Sequence, residues 1–212
     1  GVHAISTASS TEGAMAQTTK ALSGAASLVP LDAIGWQHNA EGTVVDGVAQ
    51  CRCTGSGRCF FKHSQAIGPG DVLKMRVEAG KVRLASIVGL AGKKLDIQRP
   101  METWGRTALV NMRNGTTVIH AGLSSDRQYH GHYCQLQNHV PTAPFDLALR
   151  CDTAGNVPQI QFNEDGVWHH FAPEKRIALK AGPWFLYLEL HEGDRVADFR
   201  LQPCPPGLQD RC

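Results

Sequence analysis

From Gly70 onward, apolar and polar positions alternate with a period of two, the pattern of half-buried strands. Across 71–78, Leu73, Met75 and Val77 share one face while Lys74 and Arg76 share the other. Phe145, Leu147 and Leu149 alternate with Asp146, Ala148 and Arg150, and Ile160 and Phe162 oppose Gln159 and Gln161. Across 183–190, Trp184, Leu186, Leu188 and Leu190 oppose Phe185, Tyr187 and Glu189, which predicts a strand covered on both faces. The last run, 195–201, sets Ala197, Phe199 and Leu201 against Val196, Asp198 and Arg200. Turn residues separate the runs at Pro69-Gly70, Ala79-Gly80, Asn114-Gly115, Asp165-Gly166 and Glu192-Gly193-Asp194. Many short strands without intervening helical periodicity predict an all-β fold, a two-sheet antiparallel β-sandwich. Each strand has one apolar face, so the two sheets bury those faces against each other.

The chain before this pattern reads differently. Residues 1–28 are rich in Ala, Ser, Thr and Gly, with a short helix expected over 11–22. Residues 29–63 are punctuated by Gly42, Gly47, Gly55 and Gly57 and are expected to form short strands or loops. The predicted organisation is an N-terminal extension over 1–63, a sandwich over 64–202 and a C-terminal tail over 203–212.

Composition narrows the function. With 42% hydrophobic and 19% charged residues the chain reads as globular. A net charge of +2 and the lack of a basic run give no reason to expect nucleic acid as a partner. No apolar stretch approaches the ~20 residues of a spanning helix, so no membrane insertion is expected. Gly1-Val2-His3-Ala4 lacks the features of a signal peptide, and localisation stays open between cytoplasmic and secreted. Seven cysteines cannot all pair within one chain. Reduced thiols are one reading; a secreted protein with some bridges is the other, and the Asn114-Gly115-Thr116 sequon suits it.

Little in the sequence points to catalysis or cofactors. Cys51-Arg52-Cys53 and Cys59, with His63 as a fourth ligand, raise the question of zinc, but the spacing is not that of a structural zinc site. No metal and no cofactor are expected. Nucleophile elbows, Cys–His arrangements and phosphate loops are missing, so the chain reads as a binding protein and not an enzyme. His130-Gly131-His132, between Tyr129 and Tyr133, reads as a polar surface connection, and Trp168, His169 and His170 as packing against the core.

The order of the strands resembles the galectin family. Ile67-Gly68-Pro69-Gly70-Asp71 followed by an alternating strand resembles the opening of a galectin domain, and Lys81–Gly89 and Leu95–Pro100 its next strands. Pro144-Phe145-Asp146-Leu147 resembles the entry to its long back-sheet strand, followed by Gln159–Asn163, Trp168–Phe171, Arg176-Ile177 and Leu188–Leu190. The resemblance covers 64–202 and implies a concanavalin- or galectin-type sandwich that binds a glycan or glycoprotein on its concave sheet. It also implies that dimerisation through edges or back sheets is open to the chain.

The sugar-site residues depart from the family pattern. The His position falls on Asp96 and the first Asn position on Gln98, while Arg99 lies one residue out of phase with the family's Arg. Asn111 matches the second-strand Asn, and Arg113 and His120 complete the candidate polar contacts. The stacking Trp is replaced by Thr117-Val118-Ile119-His120-Ala121, and Trp104 is the nearest aromatic, in the preceding loop. An aromatic contact of this kind contributes about 0.5–1.5 kcal/mol beyond its area. The expectation is therefore a lectin-like module with an altered or atypical glycan site. A second reading is a glycan-blind protein-interaction module, since SPRY and Neuralized-type domains resemble the same two-sheet arrangement and recruit partners through loops at one end.

Overall fold

The computed structural model describes residues 27–78, 87–92, 107–123, 129–136, 140–152, 156–171 and 183–205. The helix expected over 11–22, together with Asp96, Gln98, Arg99 and Trp104, lies outside the described residues. The strands are β1 (Val29–Pro30), β2 (Trp36–His38), β3 (Gly42–Val45), β4 (Val48–Cys51), β5 (Arg58–His63), β6 (Val72–Glu78), β7 (Ile87–Gly92) and β8 (Thr107–Asn111). They continue with β9 (Thr116–Leu123), β10 (Tyr129–Gln135), β11 (Phe145–Cys151), β12 (Pro158–Phe162), β13 (His169–His170), β14 (Trp184–His191) and β15 (Arg195–Gln202). A 3₁₀ turn, Ala33–Gly35, is the one helical element among the described residues, and no helix there is long and apolar enough to cross a membrane.

The strands form two antiparallel sheets, as the alternation predicts. Sheet A runs β13-β12-β11-β6-β15-β4-β3, with β1 also paired to β15, and sheet B runs β10-β9-β8-β7-β14-β5-β2. The inner faces meet in one core. Leu73, Met75, Val77, Leu147, Leu149, Ile160 and Leu201 come from sheet A, and Phe61, Leu90, Val110, Ile119, Trp184, Leu186 and Leu188 from sheet B. Strand β14 is buried on both faces over Trp184–Leu190, as its double apolar pattern predicts.

Two expectations need correction. Residues 29–63 do not precede the sandwich; they supply β1, β3 and β4 to sheet A and β2 and β5 to sheet B. The boundary expected at residue 64 therefore falls inside the fold. These strands are short and rich in Gly and Cys, so their alternation is brief, yet Phe61 and Cys59 are as buried as any later core residue. The second correction concerns β15, where Val196 and not Ala197 points into the core. Val196 pairs with Val77 and Leu201 with Leu73, but the register shifts between Ala197 and Arg200. Asp198, at φ 55°, sits in that irregularity. A β-bulge there changes the phase of the alternation, so a strict period of two misassigns the residues before it.

Asp71 ties the turn before β6 to the segment after β15. Its carboxylate accepts from Gly68 N–H at 2.8 Å and from Cys204 N–H at 2.8 Å, fixing both the turn before β6 and the segment after β15. Trp168 does not cap the core as expected. The Arg150 guanidinium lies 4.0 Å from its ring centroid, a cation–π contact on the outer side of sheet A.

Candidate functional site

Two surfaces carry groups suited to recognition. The first is the outer face of sheet B, where the sequence resemblance puts a sugar site. Residues directly opposite on neighbouring antiparallel strands share a face, so the register reads out rows across the sheet. Phe60, Glu189, Ile87 and Asn111 form one row, and Lys62, Tyr187, Gly89, Leu109 and Val118 the next. His120 pairs with Thr107 in a third row with Ala91 and Phe185. Asn111 and Phe60 thus stand three strand spacings apart, about 14 Å.

Asn111 lies at the end of β8, and its Oδ1 accepts from the Arg113 N–H at 2.9 Å, closing the turn into β9. Arg113 is exposed beyond that strand end. The sheet beside Asn111 is closed: Glu189, in the same row, is 1% exposed, and Tyr187 and Leu109, in the next, are 0% and 2%. Glu189 Oε1 takes a salt bridge from Arg58 at 2.8 Å, with His191 Nε2 at 3.8 Å, while Oε2 has no hydrogen-bond partner. The hydrogen bond from Arg58 to Glu189 holds the guanidinium firmly protonated, above its ordinary range. Phe60 stacks on Tyr187 at 6.5 Å, and the Lys62 ammonium lies 5.4 Å from the Phe185 ring. Burial first, and the neighbouring Glu189 charge second, push the Tyr187 phenol far above its ordinary range.

The Arg58–Glu189 pair has a testable weight. Arg58→Met strands a buried carboxylate, and the half-exposed arginine limits the cost, so a loss of about 1–3 kcal/mol is expected. Glu189→Gln in the same chain is expected to return part of it. A double-mutant cycle in urea checks this, and strictly additive losses would count against coupling between the two side chains.

The second surface is an open groove of about 470 Å³ beside the β15 bulge. Pro30, Leu31 and Ala33 form one side, Trp36, Val44 and Phe199 its apolar floor, and Asp46, Asp198 and Arg200 its polar rim. Local chemistry builds each part. Asp46-Gly47 joins β3 to β4 as a two-residue turn with both residues at positive φ, 50° and 74°, the geometry that Asp-Gly favours in hairpins. The bulge turns Asp198 and Arg200 out to solvent on either side of the inward Phe199. The loop before β2 is pinned by Leu31 N–H to the Phe199 carbonyl at 3.1 Å and by Asp32 Oδ1, which accepts from Ile34 N–H at 3.0 Å. The half-buried Trp36 packs edge-on against Phe199 at 4.8 Å and His63 at 4.9 Å. His63 itself is held at 2.7 Å from the Asp32 carbonyl and accepts from Gln65 N–H at 3.1 Å, so it does not join the cysteines as a ligand.

An aromatic edge beside two carboxylates and a guanidinium is the donor set that sugar recognition requires, a flat apolar surface ringed by directed hydrogen-bonding groups. None of Trp36, Asp46, Asp198 or Arg200 is among the residues that the sequence resemblance singles out, Asp96, Gln98, Arg99, Asn111, Arg113 and His120. Val44-Val45-Asp46-Gly47-Val48 carries a hairpin signal that places Asp46 at a turn. Nothing local marks Asp198, because the bulge shows only in how β15 pairs with β6.

No family model matches this chain, and no curated protein does at the same standard. Solved structures do. The SPRY domain of human HERC1 superposes with a TM-score of 0.52 at 13% identity, covering 85% of this chain and 99% of that one. The exoplasmic/lumenal domain of VIP36, in its Ca²⁺/Man3GlcNAc-bound form, gives 0.51 at 8% identity over 84% of this chain and 89% of its own. The carbohydrate-binding module CBM66 from Bacillus subtilis gives 0.51 at 10% identity, over 80% and 96%. At these identities the likeness is one of fold alone: a two-sheet antiparallel β-sandwich.

Proposed function

We propose that this chain is a carbohydrate-binding, lectin-like module whose glycan site is the groove at the β15 bulge. The observation that carries this reading is an open groove with the half-buried Trp36, backed by the buried Phe199, at its base and Asp46, Asp198 and Arg200 around it. The fold is compatible with the reading, since VIP36 is described with Man3GlcNAc bound and CBM66 as a carbohydrate-binding module. The described centre of sheet B is closed, which favours the groove as the site. Protein recognition is the second reading, favoured by one feature: the groove is built from the loop before β2, a hairpin turn and a bulge, a loop-borne surface on a rigid scaffold.

A broad glycan array on the full chain tests both. Glycan binding is expected to fall at least about tenfold in Arg200→Ala and in Asp46→Asn, each the loss of one charge-assisted hydrogen bond. Asn111→Ala is expected to leave binding unchanged. Binding lost in Asn111→Ala alone would move the site to sheet B, and an array silent for the unaltered chain would favour a protein partner.

A further inference from the structure

Cys51, Cys53 and Cys59 lie together at the β4–β5 end of the sandwich, remote in role from the groove. All three are buried, and their Sγ atoms lie within 4.8 Å of one another. Cys51 and Cys59 are joined as a disulfide, while Cys53 is a free thiol 3.4 Å from the Cys59 sulfur. Cys53 also donates to Glu41 Oε2 at 2.5 Å, so a carboxylate closes the fourth side.

The chain is built to bring these groups together. Cys51 ends β4 and Cys59 lies in β5, joined by a loop in which Gly55 stands at φ 71°. A Cβ on Gly57 would lie 2.5 Å from Cys53 Cβ and 3.0 Å from its Sγ. Glycine at that position is what lets Cys53 turn in toward its two partners. Arg52 N–H bonds to the Glu41 carbonyl at 2.9 Å, which fixes the carboxylate-bearing residue beside the loop.

We propose that in the reduced chain Cys51, Cys53 and Cys59, with Glu41 as fourth ligand, bind one zinc ion, and that the Cys51–Cys59 disulfide is the metal-free form of the same site. Zinc takes four ligands tetrahedrally with Zn–S near about 2.3 Å, which sets sulfurs about 3.8 Å apart. The observed cluster needs only small side-chain movement to reach that spacing. The C-x-C-x₅-C spacing hides the site from a search for C-x₂-C pairs, since here a sheet and not a knuckle brings the ligands together. The chemistry balances in two steps. A dithiol or phosphine gives two electrons to the disulfide and two protons complete the thiols at Cys51 and Cys59. Zn²⁺ then displaces three thiol protons, and the Glu41 carboxylate exchanges its hydrogen bond from Cys53 for a bond to the ion.

The test is Co²⁺ titration of the full chain, reduced with a phosphine under nitrogen, followed by displacement with Zn²⁺. The reduced chain is expected to take one Co²⁺ with intense thiolate-to-cobalt absorption and tetrahedral d–d bands. The oxidised chain and Cys53→Ser are expected to show neither, Cys204→Ser is expected to behave as the unaltered chain, and Glu41→Gln is expected to bind about tenfold more weakly. Far-ultraviolet circular dichroism of Cys53→Ser under the same reducing conditions separates lost binding from lost fold. X-ray absorption of the zinc-loaded unaltered chain gives the sulfur count without any variant. No thiolate-to-cobalt absorption in the reduced chain, the same absorption in folded Cys53→Ser, or fewer than three sulfurs around zinc would overturn the proposal.

Discussion

Gly89→Ala is expected to cost about 3 kcal/mol or more, the upper end of what overpacking does in a rigid interior. Gly89 sits inside β7, paired with Tyr187 of β14 on one side and Leu109 of β8 on the other. A methyl group there would lie 1.9 Å from the Ala108 carbonyl oxygen and 2.8 Å from both its carbonyl carbon and Leu109 Cα. All three are backbone atoms, so no rotamer change relieves the clash, and β7 and β8 must separate in the middle of sheet B. Gly47→Ala is the informative comparison. Its added Cβ meets nothing within 4 Å, and its φ of 74° leaves only local backbone strain, worth about 1 kcal/mol. Urea midpoints of the two variants check the contrast. Gly89→Ala within about 1 kcal/mol of the unaltered chain would mean that the close approach of β7 and β8 is wrong.

Tyr187 is expected to make the protein sensitive to alkali. Its phenol is buried and stands beside Glu189, and both raise its pKa, burial more than charge; Arg58 opposes them weakly. The folded chain therefore keeps the proton where the unfolded chain, with an ordinary phenol near about 10, releases it. The unfolded state binds fewer protons above that point, so stability is complete below about pH 10 and falls by about 1.4 kcal/mol for each unit above it. Tyr187→Phe removes the ionisable group and is expected to flatten the decline, at some cost near neutral pH. Melting temperatures from pH 8 to 12, with tyrosinate absorbance followed in parallel, give the answer. Phenolate forming in step with unfolding supports the argument. Identical alkaline slopes in both proteins would refute it.

These effects separate what a sequence pattern contains from what it lacks. Sheet membership was legible in β6 and β11, where one buried face imposes the period directly, and in β14, where an unbroken apolar run marks burial on both faces. It was not legible in β1 to β5, which are two to six residues long and interrupted by turns. There burial comes from partners far along the chain, such as Leu188 opposite Phe61. The site was less legible still. Asn111 does end a strand of sheet B, but its carboxamide oxygen serves the local turn. Asp198 and Arg200 reach the groove only because a bulge interrupts a strand whose letters look regular. Trp36, read as part of an N-terminal extension of short strands or loops, packs on Phe199, 163 positions later in the numbering.

The order in which the strands arrive has a consequence for how the protein is made. β14 lies between β7 and β5, and β15 between β6 and β4, so the last two strands among the described residues are central in their sheets. A growing chain that has emerged only as far as residue 171 lacks the strand that joins the two parts of each sheet, four strands and two, so each part has an open edge. Such edges recruit strands from other molecules, so synthesis has a vulnerable interval that ends only when residues 184–202 reach their slots. That same segment, two strands joined by the turn at His191–Asp194, is a keystone that can be supplied separately. A chain cut just before residue 183 becomes a receptor for a short peptide, and assembly of the two pieces would report directly on the fold.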